Sequence, residues 1–466
     1  MKHLKILVFL LALAVSQVVE AQAVTVTWTN TYQTIDGFGG GNTSTGASMS
    51  SGDENFFFGT GAGQLGMTIL RVGLTNNHYD SGDCSSIGAS CAGAYVNDMK
   101  AVIANGGHVL ATPFSPPATM TTNGSTICQN GGGNGALSPG SYGAYATWIA
   151  NFIKSVQAQG ANIYAISIQN EPEVCQTYDS ALWTAAQMDT FIKTNLGPTL
   201  SGAGLTPLVF MPETDVYSDL SSYGGTCMTD ASCYQYVGGS NWHDYDATYP
   251  SVNSTPNPWA SLNKKYWQTE GACLFQSFCQ YSPYVGNMAD ALSWAALIDS
   301  RLVNDNINAY LWLHLEDWWN DGSNIGLTQN DNTATIAKRA YILGQYARFV
   351  RPGWVRVDAT HNPLSGVDVT AFKEESSGNF AIVAINQNSS PVNLTFSLAG
   401  FPSVTSLIPT LTSDSFNLID QAASNVSGGA FSYSLPATSV VTFHGTASSS
   451  SSQVPAPPTG LSVVVY

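Results

Sequence analysis

Charge is scarce in this 466-residue sequence: 10% of residues are Asp, Glu, Lys or Arg, and the 15 Lys and Arg face 31 acids. The resulting formal charge of −16 repels polyphosphates and anionic lipid surfaces, so neither nucleic acid nor membrane is an expected partner. No Cys-x-x-Cys occurs and Cys does not cluster with His, which argues against zinc. Without a Gly-x-Ser-x-Gly, a serine hydrolase lacks its nucleophile turn. The glycines of Gly59-Thr60-Gly61-Ala62-Gly63 have the wrong spacing for a dinucleotide loop and read as a turn. Past the first two dozen residues, no apolar run reaches the roughly 20 residues that a spanning helix needs. Neither a metal nor a cofactor is expected.

Apolar and aromatic residues are plentiful, at 44% hydrophobic with 11 Trp, 21 Tyr and 19 Phe, which excludes disorder over most of the length. Many rings and few charges suit a neutral, hydroxyl-rich ligand. Residues 1–23 combine two lysines, an apolar run from Leu4 to Val15 and the triplet Ala21-Gln22-Ala23, the layout of a secretory signal peptide. The even count of 8 cysteines fits export to an oxidising compartment, extracellular or periplasmic. Cys84/Cys91, Cys227/Cys233 and Cys273/Cys279 are near neighbours, leaving Cys128 and Cys175 as a long-range pair. A monomer is expected.

Eight short apolar runs recur along the chain: 34–39, 67–73, 108–115, 163–169, 207–212, 239–243, 265–269 and 307–315. Helical patterns separate them, such as 142–159, 182–195 and 289–304. Strands apolar on both faces, alternating with helices, predict an α/β fold with a parallel sheet, and eight units predict a (β/α)8 barrel over 34–345. After Arg351-Pro352-Gly353 the helices stop and alternating strands follow, which predicts a β-sandwich side domain over 346–446. The alternating Val24-Thr25-Val26-Thr27-Trp28-Thr29 needs a sheet to join, so 24–33 is assigned to that domain. Residues 447–466 read as a Ser/Pro linker and tail.

Barrel enzymes do their chemistry at the C-terminal rim of the strands. The fourth run leads into Asn170-Glu171-Pro172 and the seventh into Thr269-Glu270-Gly271. A carboxylate just past a buried strand is costly to hold without partners or a task, although a rim salt bridge or helix cap would also serve. Two carboxyls across a barrel mouth suit acetal cleavage: one protonates the leaving oxygen and the other meets the oxocarbenium carbon.

Several stretches together resemble glycoside hydrolase family 30. They are Ile35-Asp36-Gly37-Phe38-Gly39-Gly40, Leu70-Arg71-Val72, Phe114-Ser115-Pro116-Pro117, Ile168-Gln169-Asn170-Glu171-Pro172 and the segment from Phe349 to Thr360. The resemblance implies a retaining glycosidase on a (β/α)8 barrel with a packed side sandwich. It implies Glu171 as acid/base, Glu270 as nucleophile, and Asn170 as a hydrogen-bond partner of the sugar 2-hydroxyl. Arg71 would keep Glu270 ionised, or serve as a plain salt bridge; His243 and Tyr245 would orient Glu270 or line the site. Trp312 would be the floor under the sugar, its rival role being barrel core, while Phe114, Trp242, Trp318 and Trp319 are candidate stacking platforms. The bacterial endo-xylanase branch is the nearest. Its glucuronate-gripping arginines are absent: Leu313-His314-Leu315-Glu316-Asp317 puts acids in their place, and Phe114 and Thr119 replace tryptophans. The implied substrate is a plant cell-wall polysaccharide, β-1,4-xylan without glucuronate dependence, with a β-1,6-glucan or β-1,6-galactan as the alternative. A non-catalytic carbohydrate-binding protein is the rival from another class.

Overall fold

The computed structural model describes residues 21–42, 48–74, 84–88, 91, 93, 95–130, 133–282, 284–317, 323–329 and 335–448. Strand β1 (Gln22–Thr34) precedes a closed barrel of eight parallel strands. These are β2 (Gly37–Asn42), β3 (Ile69–Leu74), β4 (His108–Pro113), β5 (Ala165–Ser167), β6 (Leu208–Thr214), β7 (Val237–His243), β8 (Lys265–Glu270) and β9 (Ala309–Trp312). Each pairs with its sequence neighbour, and β9 returns to β2 through Ala309 opposite Gly37 and Trp312 opposite Gly40. All eight apolar runs become barrel strands, with shifted ends.

The first strand starts three residues later than its hydrophobic run because Asp36 is held as a tie across the barrel floor. Its carboxylate accepts from Trp267 Nε1 at 2.8 Å and from Lys265 Nζ at 2.7 Å. The glycines that follow allow close strand approach: a Cβ on Gly39 would fall 1.7 Å from the Ile69 carbonyl oxygen. Ile69, Leu110, Ala165, Phe210, Trp267 and Leu311 fill the interior.

The helices pack outside. In α1 (Tyr142–Ala158), Tyr145, Trp148, Ile149, Phe152, Ile153 and Val156 are buried, the three-and-four spacing of one helix face. A second helix, α2 (Ala185–Phe191), begins later than its hydrophobic pattern because Thr184 caps it, closing a reciprocal pair of bonds with Gln187. The other helices used below are α3 (Met288–Val303) and α4 (Lys338–Ala347).

Seven longer strands, β10 (Val355–Ala359), β11 (Val367–Lys373), β12 (Asn379–Asn386), β13 (Val392–Ala399), β14 (Ser406–Thr412), β15 (Ala430–Leu435) and β16 (Ser439–Thr446), join β1 in the sandwich, and two-residue strands at Ile419–Asp420 and Ser424–Asn425 pair with β14. Strand β1 lies between β10, antiparallel, and β13, parallel. Its pairing reaches back to Gln22 opposite Leu394, two residues inside the segment read as leader. Strand β12 is buried on both faces. Phe380, Ile382 and Ala384 enter the sandwich core, while Ala381, Val383 and Ile385 join the core shared with the barrel helices. Gln345 of α4 fastens the same seam, donating to the carbonyls of Thr410 and Val440 and accepting from Thr442 Oγ1. Disulfides link Cys84–Cys91, Cys128–Cys175, Cys227–Cys233 and Cys273–Cys279. Among the described residues, no helix is long and apolar enough to cross a membrane.

Candidate active site

Glu171 follows β5, Glu213 lies at the end of β6, and Glu270 ends β8. Their carboxylates meet around two buried cations. Arg71, on β3, donates to Glu270 Oε2 at 2.5 Å, to Glu213 Oε1 at 3.0 Å and to Asn170 Oδ1 at 2.5 Å. His243, ending β7, places Nδ1 3.1 Å from Glu171 Oε1 and 3.6 Å from Glu270 Oε1, and Nε2 3.4 Å from Glu213 Oε1. The carboxylates of Glu171 and Glu270 thus share His243 Nδ1 as a common neighbour. Tyr245 donates to Glu270 Oε1 at 2.7 Å. Glu171 and Glu213 both have left-handed backbones, with φ of 44° and 62°, and the Glu171 N–H donates to the Glu213 carbonyl. Such strain in non-glycine residues is characteristic of functional sites.

Burial alone would strip the proton from His243. Glu270, Glu171 and Glu213 overcome that and raise its pKa to about 10, so the ring is an imidazolium. Burial would likewise favour neutral Glu270, yet His243, Arg71 and the Tyr245 hydroxyl hold it below the usual carboxylate range. Arg71 and His243 outweigh desolvation at Glu213 in the same way. Two neighbours behave oppositely: burial, reinforced by Glu171, raises Asp215 to about 7, and burial raises Glu173 to about 8. Glu171, Asp215 and His243 bring donor atoms within 4.8 Å of one another. Both ring nitrogens of His243 face carboxylates, Nδ1 towards Glu171 and Glu270 and Nε2 towards Glu213.

Residues 94–290 match the model described as the glycosyl hydrolase family 30 TIM-barrel domain, and residues 353–443 match the family 30 beta sandwich domain. A glucuronoxylanase of Bacillus subtilis, XynC, is 30% identical over 92% of this chain and 93% of its own length. The chain belongs to glycosyl hydrolase family 30. Its barrel and sandwich superpose on those of a family 30 subfamily 8 xylanase, Xyn30A, from Clostridium acetobutylicum. The TM-score is 0.75 and the identity 31%, covering 91% of this chain and 99% of that one. A more distant relative is an endo-1,6-beta-D-glucanase of Neurospora crassa, 24% identical over 62% of this chain and 60% of its own. The relatives of this chain thus include xylanases and an endo-1,6-beta-D-glucanase.

In this family 30 hydrolase, Asn170, Glu171, Glu270, Tyr245, Phe114 and His314 border one cavity of about 400 Å³. Trp312 does not. Ala309 and Leu311 take the inward positions of β9, so Trp312 points outward, edge-on to Trp294 of α3 at 4.6 Å, with Nε1 donating to the Ile325 carbonyl. The strand then breaks, the Leu313 N–H bonding to the Gly271 carbonyl, and the change of direction brings Leu313 and His314 to the cavity. Burial is the chief cause that lowers His314 to about 4, leaving it neutral at physiological pH. Trp242 is likewise core, stacked on Tyr266 at 4.3 Å. Trp318 and Trp319 lie outside the described residues. Glu316 and Asp317, expected at the mouth, are only 4% and 2% exposed, because 314–317 forms a strand paired with Gly326–Gln329.

Sequence reasoning missed Glu213, although Pro212-Glu213-Thr214 is another acid at the end of a barrel run. It also missed Asp215 and the exposed rings of Tyr178, Phe275 and Tyr281, which border the cavity from loops with no periodicity.

Proposed function

We propose that this chain is an exported, retaining endo-β-glycanase, released from a leader at residues 1–23, that cuts β-1,4-xylan without depending on glucuronate branches. The observation that carries the mechanism is the pairing at the rim. Glu270, ionised by Arg71, His243 and Tyr245, is the nucleophile that bonds the anomeric carbon, while Glu171 across the cavity protonates the departing oxygen. Water then attacks the glycosyl–enzyme from the face that the leaving group vacated, with Glu171 taking its proton, and the configuration is kept. Asn170 has its carbonyl oxygen committed to Arg71, which leaves its NH2 for the sugar 2-hydroxyl. The side chain Glu213 acts beneath the site, as counter-charge to Arg71 and His243.

The sugar preference rests on the cations. Apart from Lys2 and Lys5, every Lys and Arg of the chain lies within the described residues, and none borders the cavity. Arg71 is fully engaged below it. Asp215, Glu171 and Glu270 border it instead, so a uronate would meet repulsion where a guanidinium would have gripped it. The xylanase relatives favour a xylan backbone; the Neurospora relative supports β-1,6-glucan as the second reading. Initial rates on arabinoxylan, glucuronoxylan, β-1,6-glucan and β-1,6-galactan test this. Comparable turnover on the two xylans is expected, with internal cuts at no fixed distance from a branch. A requirement for glucuronate would defeat the charge argument, and turnover of β-1,6-glucan alone would replace xylan by the second reading.

A further inference from the structure

Phe275 is the most exposed large apolar side chain among the described residues, at 75%, and it stands on the wall of the catalytic cavity. Covering such a ring removes apolar surface from water, which favours a ligand that packs against it. The loop beneath is firmly tied. Cys273–Cys279 closes it, and the buried Gln276 accepts from the N–H groups of Leu274 and Phe275 while donating to the Asp244 carbonyl. The ring meets Tyr245 edge-on at 5.8 Å, one residue away from Glu270.

Tyr178 presents a second ring, 41% exposed, from the loop after β5, three strands round the barrel from the loop of Phe275. It lies three residues past Cys175, which is bonded to Cys128. Gln129 donates to the Cys175 carbonyl and Ser180 Oγ to that of Tyr178. Tyr281, 40% exposed and two residues past Cys279, borders the same cavity. Partly exposed rings beside a site for a neutral polyol are suited to packing against sugar C–H faces, since an aromatic side chain supplies a large contact area at little conformational cost.

We propose that Phe275 and Tyr178 form a stacking rim that grips the glycan chain flanking the scissile bond, and that Cys273–Cys279 and Cys128–Cys175 hold the rim in its binding geometry. This rests on the glycanase reading above. Gripping neighbouring sugars is thereby separated from bond cleavage, which Glu171 and Glu270 would perform.

The test is steady-state kinetics on whichever polysaccharide the wild type turns over fastest, joined to affinity electrophoresis in gels containing each of the four polysaccharides named above. Phe275→Ala should raise KM about three- to tenfold, the scale of one lost ring contact, with kcat changing less than about twofold. Phe275→Trp should restore KM. The double variant Cys273→Ser/Cys279→Ser, checked for an intact thermal transition, should raise KM in the same way. Unchanged KM in Phe275→Ala would overturn the proposal, as would a fall in kcat at constant KM, which would mean that the ring acts through Tyr245 on Glu270. The gels read the rim without turnover. If the wild type hydrolysed nothing but was retarded, and Phe275→Ala was not, the glycanase reading would fail and the rim would stand; equal migration of the two would remove the rim.

Discussion

His243 lies within 3.6 Å of three carboxylates, so its proton is part of the fold as well as of the site. Its folded pKa of about 10 lies above the ordinary value near 6.5. Stability from the imidazolium is therefore fully present below about pH 6.5 and is lost as pH rises through 10. His243→Gln should be less stable than the wild type by on the order of 3 kcal/mol at pH 6, with the gap closing towards pH 10. Chemical denaturation of both proteins across pH 6–10 checks this, and a pH-independent gap would show that packing, not charge, is what the ring supplies. At this scale the sequence reveals an acid or histidine that stands at the end of an apolar run: Glu171, His243 and Glu270 do, Arg71 lies inside its run, and the structure brings all four together. Glu213 follows its run at Pro212 as Glu270 follows Thr269, and was missed because no motif of the family resemblance includes it. Trp312 misled because the alternation of β9 does not say which of its faces turns inward, and in the barrel Ala309 and Leu311 do.

Strand β1 shows what an element contributes beyond its own residues. Its alternation marks it as half-buried, but only the sheet reveals that it separates β10 from β13, so that two strands depend on it for pairing. A chain lacking residues 22–34 would expose both edges and remove Val24, Val26 and Trp28 from the sandwich core. Each lost side chain forfeits about 1.5–3 kcal/mol, comparable in sum to the whole stability of many domains. That chain should be recovered as insoluble protein, or unfold well below the intact one by calorimetry. An unchanged thermal transition would mean that β1 is dispensable. The double burial of β12 was less legible: its continuous apolar run is equally suited to a buried parallel strand, and only the packed barrel helices explain the second face.

Across the whole molecule, the order of strands and helices was readable because (β/α)8 barrels repeat one unit, and the order of motifs pointed to the family that the comparisons confirm. Loop conformation was not readable, and the loops carry Tyr178, Phe275 and Tyr281. Positive charge is as sparse around the cavity as along the sequence, and Arg71, beneath it, is spent on Glu213, Glu270 and Asn170. The account's central claim is that Glu270 forms a covalent intermediate while Glu171 serves both half-reactions. Proton NMR of a xylan digest within the first minutes, before mutarotation, tests it most directly. The β-anomeric signal of the new reducing ends should appear first and the α signal should grow in afterwards. An α signal appearing first would mean direct displacement by water and would contradict the assignment of Glu270 as nucleophile.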